Sequence, residues 1–370
     1  MTFLAPEERA ASRRRSRNAT FVALSLGALL NGACAKLWGF PDLTLEQEGD
    51  GPDGSPPGSP DGAVDGCGAG GCGDVCTGGS TCAPTCTASG GPLPAVPAAG
   101  ALVLYGSETD NTSMFNGTSW AHANLCPAPG PRTGASMATL GSKVVLFGGV
   151  GSDVNGDTWT FDGARWTQLT PANPPPPRVY GSMATLGTEI ILFGGQDGTS
   201  DDPATTWAFD GTSWTQPNVT NAPPPRHLAS MATLGDKIVL FGGESGYLGP
   251  DLDDTWTFDG MTWSQVSGAA PSARSSANLT ALGNKVVLFG GFDDTNLVSL
   301  DDTWTFDGTT WTQLSASGPP AGMTLMATLG SEIVLLGTST WTFSGTSWTP
   351  LTLSYVPTVG NGYPAMALLP

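Results

Sequence analysis

Along Asp302–Leu314, D-T-W-T-F-D-G-T-T-W-T-Q-L, large apolar residues alternate with small polar ones. Trp304 and Phe306 fall two apart, the pattern breaks at Asp307-Gly308, and Trp311 resumes it. A period of two is that of a strand with one face buried. Asp-Gly between two such runs predicts a β-hairpin closed by a type I′ turn, whose central residues both need positive φ. Near-copies stand at Asp157–Leu169, Thr205–Pro217, Asp254–Val266 and Ser339–Leu351, with a worn one at Asn111–Ala123. Hairpins of one design recurring along the chain define a repeat protein.

Each repeat reads as four strands, a to d, the hairpin supplying c and d. In the third, strand a is Val179–Leu186, Gly187-Thr188 is a two-residue turn of type II′ preference, and strand b is Glu189–Phe193, ending in Gly194-Gly195. The turn recurs at Gly141-Ser142, Gly235-Asp236, Gly283-Asn284 and Gly330-Ser331, and the double glycine at Gly148-Gly149, Gly242-Gly243 and Gly290-Gly291. An apolar strand, Gly-Gly, a loop, an aromatic and a Trp a short fixed distance on resemble the kelch repeat. The resemblance runs from about Gly100 to the C-terminus. It implies an all-β propeller with one four-stranded blade per repeat. The first copy lacks strand a, and Tyr363–Leu369 matches that strand, Met366 falling on Met183 and Leu369 on Leu186. The expectation is a six-bladed propeller over 100–370, its first blade closed by the C-terminal strand, with the tryptophans as core. Closure removes exposed strand edges.

Ahead of the repeats, Arg13, Arg14, Arg15 and Arg17 precede the apolar run Phe21–Leu30, which is too short to span a bilayer and suits an export signal over 1–35. Gly32 and Ala33 before Cys34 resemble a bacterial lipoprotein signal, in which Cys34 is lipidated. Ala33-Cys34-Ala35 also fits ordinary cleavage. Residues 36–99 are rich in Gly, Pro, Ser and Asp and read as a disordered tether. Cys67, Cys72, Cys76, Cys82 and Cys86 cluster there without zinc-ribbon spacing or a nearby His, so disulfides are expected over metal. With Cys34 lipidated or removed, the odd cluster needs Cys126 of the first blade to pair fully. A net charge of −18 opposes phosphate backbones, so no nucleic-acid partner is expected, and membrane contact is expected only through the lipid anchor.

The chemistry-bearing motifs are sparse. T-F-D-G-T-T-W is one residue short of the sialidase Asp-box, itself a structural turn. The kelch enzyme galactose oxidase uses two Tyr and two His at copper, whereas this chain has only His122 and His227, at unrelated repeat positions. The exported N-acetylneuraminate epimerases are the other enzymatic alternative. No phosphate loop or nucleophile elbow is present. Catalytic residues, metal and cofactor are therefore expected to be absent.

Two features exceed the core. Arg132, Arg178, Arg226 and Arg274 each precede strand a and are expected to ring one mouth of the central channel, either paired with neighbouring blades or forming an anion or sugar-carboxylate site. The b–c loops on the same face are acidic and long in blades two to five. Tyr247 and Phe292 put aromatic groups there as contact anchors. The reading is a monomeric, non-enzymatic binding scaffold, exported to or beyond the bacterial envelope, presenting a propeller face to a protein or glycan. The alternative is an envelope sugar-modifying enzyme.

Overall fold

The computed structural model describes residues 72–74, 84–86, 89–90, 96–97, 100–106, 112–197, 204–246, 249–359 and 363–370. The signal segment with Cys34, most of the 36–99 tether, the loop residues Asp201, Asp202 and Tyr247, Cys67, Cys76, Cys82, and the side chains of Cys72 and Cys86 lie outside them. One compact unit, Ala19–Thr87, contributes a strand pair, Cys72–Asp74 against Pro84–Cys86, in which Cys72 stands opposite Cys86.

The other unit contains the repeats and is a six-bladed β-propeller. The innermost strands are Ser136–Leu140, Ser182–Leu186, Ser230–Leu234, Asn278–Leu282, Leu325–Leu329 and Ala365–Leu369, each beside the next around a closed ring. Five blades run a-b-c-d in chain order. In the first, the C-terminal strand Ala365–Leu369 supplies strand a and pairs antiparallel with Ala101–Tyr105, Met366 opposite Leu104. That blade also gains a fifth strand, Ser89–Gly90 against Trp120–Asn124, from the stretch expected to be linker.

The turns between strands a and b agree with the sequence. Leu186 pairs with Glu189 across Gly187-Thr188, and Gly187 has φ +59°. The c–d hairpins differ from expectation. Phe161 pairs with Trp166, which leaves a four-residue loop in place of a two-residue I′ turn. Only the glycine, Gly163 at φ +94°, enters the left-handed region. The Asp162 carboxylate instead accepts the backbone N–H groups of Ala164 and Arg165, and Asp210, Asp259 and Asp307 repeat the arrangement. This is an Asx turn: the carboxylate replaces the backbone acceptor that a tighter turn would provide. Hydrogen bonds led by the Thr309 hydroxyl hold the exposed Asp307 carboxyl down at about 2.

Six apolar clusters fill the interfaces, one between each pair of neighbouring blades. The strand-d tryptophans, Trp120, Trp166, Trp214, Trp263, Trp311 and Trp348, lie at their centres, all buried. Each packs against a Phe of its own blade, and Trp263 stacks on Phe258 with ring centroids 4.7 Å apart. Each indole N–H donates to the first Thr of strand c in the preceding blade: Trp166 to Thr112, Trp214 to Thr158, Trp263 to Thr206, Trp311 to Thr255, Trp348 to Thr303. Trp120 donates to Thr340 of the sixth blade at 3.1 Å and so completes the circle. The strand-c tryptophans depart from the expected core role: Trp159 and Trp256 are buried, whereas Trp207, Trp304 and Trp341 are only partly so.

A buried Trp removes roughly 150–250 Å² from water, worth about 4–6 kcal/mol at ~25 cal/mol/Å². Trp263→Ala is therefore expected to cost about 3–5 kcal/mol in urea unfolding. Thr206→Val keeps the shape but strands the Trp263 N–H, and is expected to cost about 1–3 kcal/mol. Removing 363–370 is expected to abolish the single cooperative transition. A truncated protein that melts like the parent contradicts closure by the C-terminal strand.

Candidate binding face

The b–c and d–a loops share one face, and side chains there tie them together. Arg132 donates bidentately to Asp157, at 2.6 and 3.1 Å, and to the carbonyl of Gly148 at 3.0 Å. Arg226 treats Asp254 (2.6 and 2.9 Å) and Gly242 in the same way, and Arg274 treats Asp302 (2.5 and 3.1 Å) and Gly290 likewise. Each Asp also accepts the indole N–H of the strand-c Trp two residues on: Trp159, Trp256 and Trp304. Burial raises these carboxyl pKa values, but the Arg and Trp hydrogen bonds and the Arg charge outweigh it and leave them below the ordinary 3.8.

The double glycine belongs to the same assembly. The N–H of Gly195 donates to the backbone carbonyl of Arg226 in the next blade at 3.0 Å. A Cβ on Gly194, at φ +67°, would stand 2.3 Å from that carbonyl, so the approach requires glycine. Gly149 and Gly243 make the same bond to Arg178 and Arg274. Arg178, Arg226 and Arg274 thus each brace their own blade with the side chain and receive the preceding blade on the main chain.

This corrects the expected arginine mouth. The four arginines are only 1–5% exposed. Arg132, Arg226 and Arg274 are committed to carboxylates and carbonyls of their own blades, not to neighbouring blades or to an open channel. Sequence reading missed the partners Asp157, Asp254 and Asp302. The signal was present as an Asp-Thr-Trp triplet 25–28 residues after the Arg wherever the clamp is complete. Arg178 is the exception, with Thr205 in place of the aspartate.

The mouth itself is lined by the residues two positions after each Arg. Gly134, Tyr180, Leu228, Ser276 and Tyr363 all have positive φ and form a backbone chain across blades: Gly134 N–H to Tyr363 O, Tyr180 to Gly134, Leu228 to Tyr180, Ser276 to Leu228. Four of the five are not glycine, and residues held in this region cluster at functional sites. Tyr363, arriving with the C-terminal strand, packs edge-on to Tyr180 at 5.2 Å. Burial pushes the Tyr180 phenol up to about 12, and burial together with the charges of Glu244 and Asp294 raises that of Tyr363. Around this aromatic pair, His227 Nε2 lies 3.6 Å from Glu244 and 3.3 Å from the Gln196 amide. Carboxylate oxygens of Glu244, Asp251 and Asp294 lie within 4.8 Å of one another, close enough to share a cation, and the Asp294 N–H donates to Asp251 at 2.7 Å, joining the loops of blades four and five.

Of the expected contact residues, Phe292 is half-buried in a short hairpin, Phe292–Asp293 against Val298–Ser299, and Val298 beside it is 45% exposed. His122 sits on strand d of the first blade against Tyr355, on a different element from His227.

The architecture defines a β-propeller whose blades two to five carry the Gly-Gly, aromatic and Trp constellation, with the double glycine reduced to Gly106-Ser107 and Gly337-Thr338 in the other two. A model of the KLHDC2/KLHL20/DRC7 kelch-repeats domain matches residues 160–345, just over half of the 370, and the chain belongs to the kelch-repeat family. No curated protein matches the sequence.

Asp254→Ala leaves Arg226 buried without its counter-charge, and is expected to cost about 2–4 kcal/mol. Thr205→Ala, at the same position of the third blade, removes no charge pair and is expected to cost less than about 1 kcal/mol. Because the clamp carboxyls have lowered pKa values, their contribution is complete above about pH 4 and is lost as pH falls through the folded values. Urea midpoints at falling pH check this: Asp254→Ala is expected to weaken the acid dependence relative to the parent.

Proposed function

We propose that this kelch propeller is a non-enzymatic protein-binding scaffold, exported to the bacterial envelope and meeting its partner with the loop face. The observation that carries the reading is the asymmetry of that face. The b–c segments run 148–157, 194–205, 242–254 and 290–302 in blades two to five, but only 337–339 in blade six. One side is a wall of acidic loops and the other is low, a shape suited to receiving a partner surface off-axis. Exposed Val298 and half-buried Phe292 lie on that wall, where apolar anchors contribute most when surrounded by polar groups. Scarce histidine supports binding over catalysis.

Export, the lipid anchor at Cys34 and a tether running to the propeller belong to the same proposal. A staple between Cys126 and one of Cys67, Cys72, Cys76, Cys82 or Cys86 is its disulfide element.

Cross-linking of the intact protein in envelope extract, followed by pull-down, tests the reading. The expected result is a captured protein whose recovery falls at least tenfold with Val298→Glu and Phe292→Ser together, while the melting midpoint stays within a few degrees. Undiminished capture contradicts the loop-face assignment. Turnover of sialic acids or oxidisable sugars by the purified protein would instead favour the enzymatic alternative.

A further inference from the structure

The third blade lacks the carboxylate around which its neighbours are built. In blades two, four and five an aspartate receives both the second guanidinium nitrogen of the Arg and the strand-c indole N–H. Thr205 holds that position in blade three, but the two donors remain. Arg178, 2% exposed, bonds to the carbonyls of Pro176 and Gly194 and, through one Nη, to the Thr205 hydroxyl at 3.3 Å. Its other Nη finds no acceptor among the described residues. The Trp207 Nε1 is buried and has no hydrogen-bond partner. Thr205 is too short and has a methyl where Asp has its second oxygen. Two donors, the buried indole N–H and a charged guanidinium nitrogen, therefore converge on the place that a carboxylate fills in the neighbouring blades.

We propose that this place is a binding site for a small carboxylate of the formate or acetate class, seated between Arg178 and Trp207 where Asp157, Asp254 and Asp302 seat their own carboxylates. The geometry required is already realised three times in this molecule, so the donors need no rearrangement. The place is reachable, because the aspartates that fill it elsewhere remain 16–23% exposed. A buried indole N–H without an acceptor is costly, and one carboxylate here accepts from it and from the guanidinium at once. Desolvation bears on the same group: burial, partly offset by the charge of Asp197, pushes the Arg178 guanidinium down to about 10, so it stays protonated at neutral pH. The site stands independently of which macromolecule the loop face receives.

Thermal unfolding of the full-length protein in sodium formate against sodium chloride, at matched ionic strength, tests it. The parent midpoint is expected to rise saturably by about 2–4 °C in formate. Thr205→Asp supplies the carboxylate internally, so it is expected to melt higher than the parent in chloride and to ignore formate. Trp207→Phe, which removes the indole donor and keeps an aromatic ring, is expected to shrink the formate shift severalfold, and it serves as the readout should Thr205→Asp fail to fold. No formate shift in the parent would overturn the proposal, whether water or a carboxylate of the chain itself fills the place; so would an equal shift in parent and both variants, which would mark a general salt effect.

Discussion

The hydrogen bond from each strand-d indole to a threonine of the preceding blade is the constraint on which the propeller depends. A four-stranded blade buries one face only by leaning on its neighbour, and the indole fixes how it leans. Burial supplies most of the stabilisation but has no direction. The N–H to hydroxyl bond is worth only about 1 kcal/mol net, yet an indole displaced from its threonine would be left unsatisfied in the core. Because Trp120 meets Thr340, the sequence of bonds has no end, and the C-terminal strand closes the first blade beside it.

The loop face is held by different means and less evenly. Glycine N–H bonds join blades two to five and guanidinium side chains brace the loops within each of them, while Ala321 stands where blade six would have its arginine. The backbone chain across the mouth likewise runs from Tyr363 to Ser276. The well-tied arc coincides with the long loops, so the wall proposed to meet a partner rests on the most constrained part of the ring. At the mouth, Tyr363 and Tyr180 pack together over the polar group of His227, Glu244 and Gln196.

The repeat was legible because its information is local. Alternation, Gly187-type turns and the strand-a pattern at Tyr363–Leu369 each occupy a handful of consecutive residues, and each led to the observed strand. The c–d turn was misread because Asp-Gly was taken alone: the two residues after it, Ala164 and Arg165 in the second blade, belong to the loop, and the aspartate acts through its side chain. The arginines were seen but not their partners, since loops of unequal length separate Arg from Asp and spacing alone could not pair them. Comparing repeats would have paired them, for Asp precedes Thr-Trp in the blades where Arg is clamped, and Thr205 is the place where that rule breaks. The burial of Trp304 was overstated for a related reason: alternation shows that a residue faces inward but not whether another blade covers it.

Hydrogen exchange of the indole N–H groups in the native protein tests the continuous ring most directly. If the six bonds belong to one cooperative ring, Trp120, Trp166, Trp214, Trp263, Trp311 and Trp348 should all exchange with the free energy of global unfolding, and that free energy should fall together across them in dilute urea. Exchange of Trp120 and Trp348 at markedly lower free energy than the other four, independent of urea, would show that the first and sixth blades open locally and would contradict the account.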